Sequence, residues 1–216
     1  MTKFSTVLAI SLLAASAAQA DTVTTQDSIA STTTSWTKSL TLNQFNSSLG
    51  TLTSVKYTYG GGVETTFREE SLDAAASTIT VNSSASLNFG SPLLKILNVS
   101  NSQTRNVTAF DGIVDFGGTS GFGPLTVSGS DSATFITGAG LGFFLGTGTY
   151  GLLVSAAGTS NASGAGNLIS QINTVANANI VVEYTYTPTV THVPEPGALA
   201  LVGIALAGLA MVRRKA

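Results

Sequence analysis

The chain has 216 residues, of which 9% are charged and 43% hydrophobic, and its formal net charge is −2 at pH 7. It contains no cysteine, which excludes disulfides, thiolate nucleophiles and cysteine zinc sites, and it has no basic patch, which argues against a nucleic-acid partner. The single histidine, His192, lies just before the C-terminal tail, so catalysis by Ser-His-Asp or Cys-His groups is excluded as well.

Residues 1–20 have the form of a secretory signal peptide. Lys3 supplies a positive start, residues 7–18 are mostly apolar, and Ala18 and Ala20 form an A-x-A cleavage site for signal peptidase. Cleavage there would leave Asp21 as the new N-terminus. An uncleaved signal anchor is the alternative, but the short apolar run and the small residues at the site favour cleavage.

The exported part reads as a succession of short β-strands. Apolar and polar residues alternate in the segments 36–42, 51–59 and 63–68, which places the apolar residues of each segment on one face. Gly60, Gly61 and Gly62 lie between the last two segments and can adopt the positive φ angles of a tight turn. The sequence therefore predicts a hairpin that reverses at the three glycines.

The second half of the chain continues in the same way. Residues 180–187 have the clearest alternation and should form the final strand. Residues 93–99 are apolar on both faces except at Lys95 and Asn98, and they fit a central strand or a short helix. Residues 166–176 predict a short connecting helix. The overall pattern predicts an all-β fold, an antiparallel β-sandwich of jelly-roll or Ig-like type over residues 21–187, followed by a linker at 188–192.

The acidic residues are the candidates for chemistry within this domain. Either of two groups could bind Ca²⁺ through oxygen ligands, or hydrolyse a glycoside if two carboxylates lay at the right distance. Neither group has the spacing of a calcium-binding loop, so solvated turn acids are the simpler interpretation. The first group is Glu69, Glu70 and Asp73, and the second, the weak metal candidates, is Asp111, Asp115 and Asp131.

Residues 146–151 fit the pattern Gly-x-Gly-x-x-Gly but lack the structural setting of a dinucleotide site. Such a site needs a helix that begins at the glycines and an acidic residue about twenty positions later. Here a strand-like segment follows, and the next acidic residue is Glu183. The glycines are therefore expected to form turns, and the sequence predicts no cofactor and no catalytic residue.

The C-terminal tail has three parts in a fixed order. A short polar signal precedes sixteen uncharged residues, 197–212, and a basic cluster follows them. As a helix the uncharged run would be about 24 Å long, close to the ~30 Å hydrocarbon core, and the cations should stay on the cytoplasmic side. The signal is Val193, Pro194, Glu195 and Pro196, and the basic cluster is Arg213, Arg214 and Lys215.

This tail resembles the PEP-CTERM sorting segment of exported proteins in Gram-negative bacteria. The resemblance implies export through the inner membrane, a C-terminal single-pass anchor with a cytoplasmic end, and processing near Val193–Pro196 by an exosortase-like enzyme. The protein would then reside at the cell surface or outside the cell. An ordinary C-terminal anchor helix is the alternative.

A second stretch, W-T-K-S-L-T-L-N-Q-F-N-S-S-L-G-T-L-T-S-V-K-Y-T-Y from Trp36, is similar to the opening of the choice-of-anchor E family. The similarity extends to about Phe89 and implies a secreted β-rich domain without known functional residues. Together, the two ends and the β-rich centre predict a non-enzymatic structural or adhesive envelope protein. The alternative is a surface module that binds extracellular polysaccharide or Ca²⁺.

Overall fold

The computed structural model describes residues 20–189 and 202–206. The predicted signal peptide with Ala18, the linker histidine His192 and the whole sorting signal with its basic cluster lie outside these residues. Ala20 is described and is exposed. Residues 202–206 are helical, but no helix within the described ranges is long and apolar enough to cross a membrane.

The described residues form nine strands in two antiparallel sheets, so the predicted all-β class is confirmed. The arrangement is consistent with a β-sandwich. The first sheet has the order β1 (Asp21–Thr33), β9 (Leu168–Pro188), β3 (Gly50–Ser71), β6 (Gly121–Thr137). The second has the order β2 (Trp36–Asn43), β7 (Thr149–Gly158), β4 (Ser77–Phe89), β5 (Lys95–Val107), and β8 (Asn161–Ser163) also pairs with β4.

Alternation of apolar residues determines which face of each strand is buried. In β2, Trp36, Leu40 and Leu42 are buried and the residues between them are exposed, as the sequence predicted. In β9, Ile180 and Val182 are likewise buried on the inner face. These side chains form the large core between the two sheets, while a smaller cluster lies at the other end of β3 around Phe67, Ile79, Val81, Val107 and Val127.

The predicted hairpin at Gly60–Gly62 is wrong. Strand β3 runs through the three glycines without a break and pairs with β9 on one side and β6 on the other. A side chain at Gly61 would collide with Leu87 of the facing sheet. The side chains of Asn179 and Asn177 lie against Gly60 and Gly62. The glycines therefore allow close packing on both faces of a central strand rather than a reversal.

The predicted helix at 166–176 is also wrong, because strand β9 begins at Leu168 and pairs along its length with β3. Continuous hydrogen bonding to a long central strand outweighs the weak helical periodicity of this segment. The ambiguous run 93–99 is a strand from Lys95 onward, but an edge strand rather than a central one, since β5 lies at the end of the second sheet and pairs with β4.

Candidate functional site

The first group of acidic residues, Glu69, Glu70 and Asp73, lies at the end of β3. Their carboxylates accept hydrogen bonds from nearby backbone and hydroxyl groups of the fold. A bulge in the pairing with β6 falls between Phe67 and Glu69. Glu70 is fully buried although it lies near the strand end, because the loop between β5 and β6 covers it. Its carboxylate accepts hydrogen bonds from the Phe116 backbone N–H at 2.8 Å and the Ser120 hydroxyl at 2.6 Å.

Glu69 is buried as well but is only half satisfied. The Ser170 hydroxyl donates to its Oε2, while its Oε1 has no hydrogen-bond partner among the described residues. Burial raises the pKa of the Glu69 carboxyl, and the Ser170 hydrogen bond opposes that shift. Glu69 therefore destabilises the folded chain when it is ionised.

Asp73, in the segment after β3, forms hydrogen bonds with the turn before β9. Its carboxylate accepts hydrogen bonds from the backbone N–H groups of Gly166 at 2.7 Å and Asn167 at 2.8 Å, and from the Ser77 hydroxyl at 3.2 Å. The two backbone donors hold the pKa of the Asp73 carboxyl below its usual range. Its hydrogen bonds are those of a turn.

The weak metal candidates do not come together as one site. Asp111 accepts from the Ile113 N–H at 3.1 Å and Asp115 from the Gly117 N–H at 2.8 Å, both within the loop between β5 and β6. Asp131 lies instead on strand β6, opposite Gly61. Across the described part of the chain, no group of three Asp, Glu, His or Cys side chains is placed to hold a metal ion.

The Gly-x-Gly-x-x-Gly stretch leads into β7, which begins at Thr149. The Gly146 N–H donates to the Phe45 carbonyl at 3.0 Å, so the stretch serves as the entry turn of that strand. A strand rather than a helix follows the glycines. The stretch therefore lacks the helix N-terminus whose backbone N–H groups bind phosphate in a dinucleotide site.

The described residues also form an apolar depression that the sequence did not predict, a cleft of about 450 Å³. We call it the aromatic cleft. It is bordered by the paired strands β3 and β6, by the segment before β5, and by the region of the 3₁₀ helix Leu141–Phe144. Its walls include Tyr57, Tyr59, Leu93, Leu94, Lys95, Phe135, Phe143 and Phe144.

Tyr57 is the unusual wall residue of the aromatic cleft. It is 1% exposed, and its ring is nearly parallel to that of Phe135, with 6.3 Å between the centroids. Its hydroxyl is buried and has no hydrogen-bond partner among the residues described. Burial raises the pKa of the Tyr57 hydroxyl, so it stays neutral and remains a donor at physiological pH.

The hydroxyls of the neighbouring tyrosines all have hydrogen-bond partners. The Tyr59 hydroxyl donates to the Leu93 carbonyl at 3.0 Å, and burial raises the pKa of Tyr59 to about 12. The Tyr184 hydroxyl donates to the Asn43 carbonyl at 2.8 Å and lies 3.2 Å from the Tyr150 hydroxyl. Tyr57 is thus the exception in this group. The adjacent aromatics at 143–144 were the sequence signal for the cleft, but they lie within the glycine-rich stretch interpreted as turns.

A second depression, of about 560 Å³, lies on the outer face of the first sheet, and we call it the polar trough. Its floor is Gly60 and Gly62, whose missing side chains leave room for the Asn177 and Asn179 amides. Hydroxyl and carboxylate groups surround these amides. The surrounding residues are Ser31, Glu64, Ser128, Ser130, Asp131 and Ser132.

None of the curated proteins matches this chain. Among solved structures, a chain from the structure of the infectious bursal disease virus Gx strain is similar at 11% identity and a TM-score of 0.18. The alignment covers 93% of this chain and 52% of the viral chain. A subviral particle of the same virus's VP2 aligns with 86% and 43%, at 13% identity and a TM-score of 0.18. This chain spans about half the length of these viral chains, and similarity this low carries no argument.

The similarity of residues 36–89 to the choice-of-anchor E family is not shown by these comparisons and stays a prediction. The C-terminal resemblance is confirmed. It supports an exported surface protein that an exosortase sorts, with membrane association before processing. The chain carries a PEP-CTERM protein-sorting motif at residues 192–215.

Proposed function

We propose that this chain is an exported envelope protein whose β domain has a structural or adhesive, non-enzymatic role. The observation that carries the proposal is the PEP-CTERM motif at residues 192–215. The use of Glu70 and Asp73 as acceptors for loop and turn donors gives further support, because carboxylates bound in this way stabilise the fold.

Intact-mass analysis of the mature protein tests the sorting step, in hosts with and without the processing enzyme. We expect loss of Arg213, Arg214 and Lys215 only when the enzyme is present. Replacing Pro194 and Pro196 by alanine should block that loss, whereas the matched change Pro188→Ala, in the last residue of β9, should not. A mature chain that keeps the basic cluster in the presence of the enzyme contradicts the proposal.

The non-enzymatic role has its own test at the polar trough, where Glu64 and Asp131 both line the depression. Two carboxylates could hydrolyse a glycoside if they approached a sugar from both sides. We expect no release of reducing ends from extracellular polysaccharide by the full-length chain. Release that disappears in both Glu64→Gln and Asp131→Asn would identify a hydrolase instead.

Polysaccharide binding is the second candidate function, and the polar trough is the observation that favours it. The side-chain amides and hydroxyls of the trough can form hydrogen bonds with sugar hydroxyls. The glycines of its floor let the polysaccharide approach the protein backbone closely. Asn179 is exposed, and its amide has no hydrogen-bond partner within residues 20–189. Retention of the full-length chain on immobilised polysaccharide should fall in Asn179→Ala and remain unchanged in Asn161→Ala, a matched change on β8.

A further inference from the structure

The chain leaves the β domain beside one particular turn and one particular loop. After β9, the Thr189 N–H donates to the Leu49 carbonyl at 3.1 Å, in the turn between β2 and β3. The loop between β6 and β7 starts at the same end of the first sheet, because Thr137 pairs with Val55 near the start of β3. We call this the exit end, formed by residues 44–49, residues 138–148 and Thr189.

The exit end carries apolar side chains that face solvent. Leu49 is 44% exposed, Phe143 46% and Leu145 41%. The turn and the loop hold each other in place, since the Gln44 side-chain amide donates to the Phe143 carbonyl at 3.2 Å. Neither segment contains a charged residue. Exposed apolar side chains gathered on uncharged loops suit the interfacial region of a lipid bilayer.

Charged groups near the exit end lie on the strands rather than on its turn and loop. Asp21, at the start of β1, accepts a hydrogen bond from the Tyr186 hydroxyl at 3.3 Å. Lys56 and Glu183 lie on neighbouring strands and form an ion pair at 3.8 Å. The turn and the loop therefore bring no charge to a lipid surface.

The opposite end of the domain also exposes apolar side chains, but between carboxylates. In the loop between β5 and β6, Ile113 is 63% exposed and Val114 49%. Asp111 and Asp115 flank them and are exposed too. An anionic lipid surface would repel these carboxylates, so apolar exposure alone does not favour this end.

The length of chain between the domain and the tail decides which end can reach the membrane. From Thr189 to Gly197, where the uncharged run begins, the chain advances eight positions. Eight residues span at most ~28 Å when fully extended. Strand β9 has 21 residues, which as extended strand is about 65 Å. A domain standing on its opposite end would hold Thr189 farther from the bilayer than this tether can reach.

We propose that the exit end of the β domain rests on the surface of the bilayer that holds the tail, with Leu49, Phe143 and Leu145 among the lipid headgroups. The proposal rests on the membrane association that the sorting motif supports, and it does not depend on the structural or adhesive role. This contact orients the domain, so that the loop between β5 and β6 points away from the membrane.

A single fluorescent label at each end tests the contact, because the chain contains no cysteine. Ser48→Cys at the exit end and Ala75→Cys after β3 both replace exposed residues and take the fluorophore NBD. The full-length chain is reconstituted in vesicles of phosphatidylethanolamine and phosphatidylglycerol, with and without lipid that carries a nitroxide on its acyl chain. We expect nitroxide lipid to quench the label at position 48 about threefold more than the label at position 75, because only the first lies at the interface.

Matched variants test the apolar contribution. Leu49→Ser combined with Phe143→Ser should lower the ratio of docked to undocked domain about tenfold, and Leu49→Ser alone should lower it less. Ile113→Ser combined with Val114→Ser removes as many exposed apolar side chains from the opposite end and should not change the ratio. Melting temperatures show that each variant is folded. Docking should persist in neutral phosphatidylcholine vesicles, because the turn and the loop carry no charge.

Flotation of the chain with the vesicles distinguishes failure of the contact from failure of membrane association. A chain that does not float lacks membrane association, and the contact falls with it. A chain that floats with equal quenching at positions 48 and 75 overturns the contact and leaves the sorting proposal intact. Quenching at position 48 that survives the loss of Leu49 and Phe143 overturns it as well.

A second copy of the chain is the competing occupant of the exit end. In that case the emission of the label at position 48 would shift to shorter wavelength as the protein concentration rises, and nitroxide lipid would not quench it. This result would overturn the lipid assignment.

Discussion

The two ends of strand β3 bury polar groups in different ways. Near its start, Tyr57 and Tyr59 face the large core, and near its end Glu69 and Glu70 lie by the small cluster. Glu69 follows Tyr57 by twelve positions, which is about 40 Å of extended chain. At the acidic end a loop supplies both donors of Glu70, and strand β9 supplies the single donor of Glu69. At the aromatic end the Tyr59 hydroxyl donates to a carbonyl, whereas the Tyr57 hydroxyl has no partner among the described residues.

The two ends differ in what an unmet hydrogen bond costs, because burial without a partner is more unfavourable for an ionised carboxylate than for a neutral hydroxyl. Glu70 stabilises the fold through two donors from the loop that covers it, whereas Glu69, which has one donor, destabilises the fold when it is ionised. A neutral hydroxyl costs less to leave unpaired than an ionised carboxylate, so the fold tolerates Tyr57 without a partner. Substitutions along β3 and on its partner strand β9 test this contrast.

The largest effect is expected at Glu70. Glu70→Ala leaves the Phe116 N–H and the Ser120 hydroxyl without an acceptor, so it should lower the free energy of unfolding by about 3 kcal/mol. Chemical denaturation of the variant and the parent chain measures this. The control is Glu64→Ala on the exposed face of the same strand, which should change stability by less than about 0.5 kcal/mol. Equal effects at the two positions would contradict the structural role of Glu70.

The middle of β3 should be nearly as sensitive. In Gly61→Ala the new methyl group collides with Leu87, and this overpacking should cost about 1–3 kcal/mol of unfolding free energy. The double variant Gly61→Ala with Leu87→Val should recover part of the loss. If the second substitution only adds to the first, the two side chains do not meet across the sheets.

Removal of the hydroxyl should change the unfolding free energy by different amounts at Tyr184 and Tyr57. Tyr184→Phe removes hydrogen bonds to the Asn43 carbonyl and the Tyr150 hydroxyl and should cost about 1 kcal/mol. Tyr57→Phe removes a hydroxyl without a partner and should leave the unfolding free energy unchanged or slightly higher. Thermal unfolding of both variants makes the comparison, and an equal loss in the two would show that Tyr57 is satisfied in the folded chain.

The smallest effect is a pH dependence at Glu69. Because burial raises the pKa of Glu69 in the folded chain, unfolding releases a proton between the unfolded and folded pKa values, and stability falls as pH rises through that interval. Glu69→Gln should be more stable than the parent above the interval and similar below it. Denaturation of both proteins across a pH series measures the difference in their unfolding free energies.

Ser170→Ala is the companion change for Glu69. It removes the hydrogen bond that lowers the pKa of this carboxyl, so the interval should widen toward higher pH. A Glu69→Gln variant whose stability advantage is the same at every pH would contradict the role of ionisation.

Part of the molecule could be predicted from the residue pattern. Period-two alternation identified the buried faces of β2 and of the second half of β9, because each of these strands has one face toward the core and one toward solvent. The three glycines of β3 misled the prediction, since glycine suits both a turn and a crowded strand. The neighbours that distinguish these cases, Leu87, Asn177 and Asn179, come from other strands.

The sites divide along the same line. Composition and local motifs indicated the absence of cysteine chemistry, the β class and the sorting motif, because each depends on residues adjacent in the chain. The covering of Glu70 by a loop, the separation of Asp131 from Asp111, and the aromatic cleft around Tyr57 were decided only by tertiary structure. Each depends on which distant segments meet, and strand pairing over a hundred residues apart, as between Tyr57 and Val182, is not encoded in any local pattern.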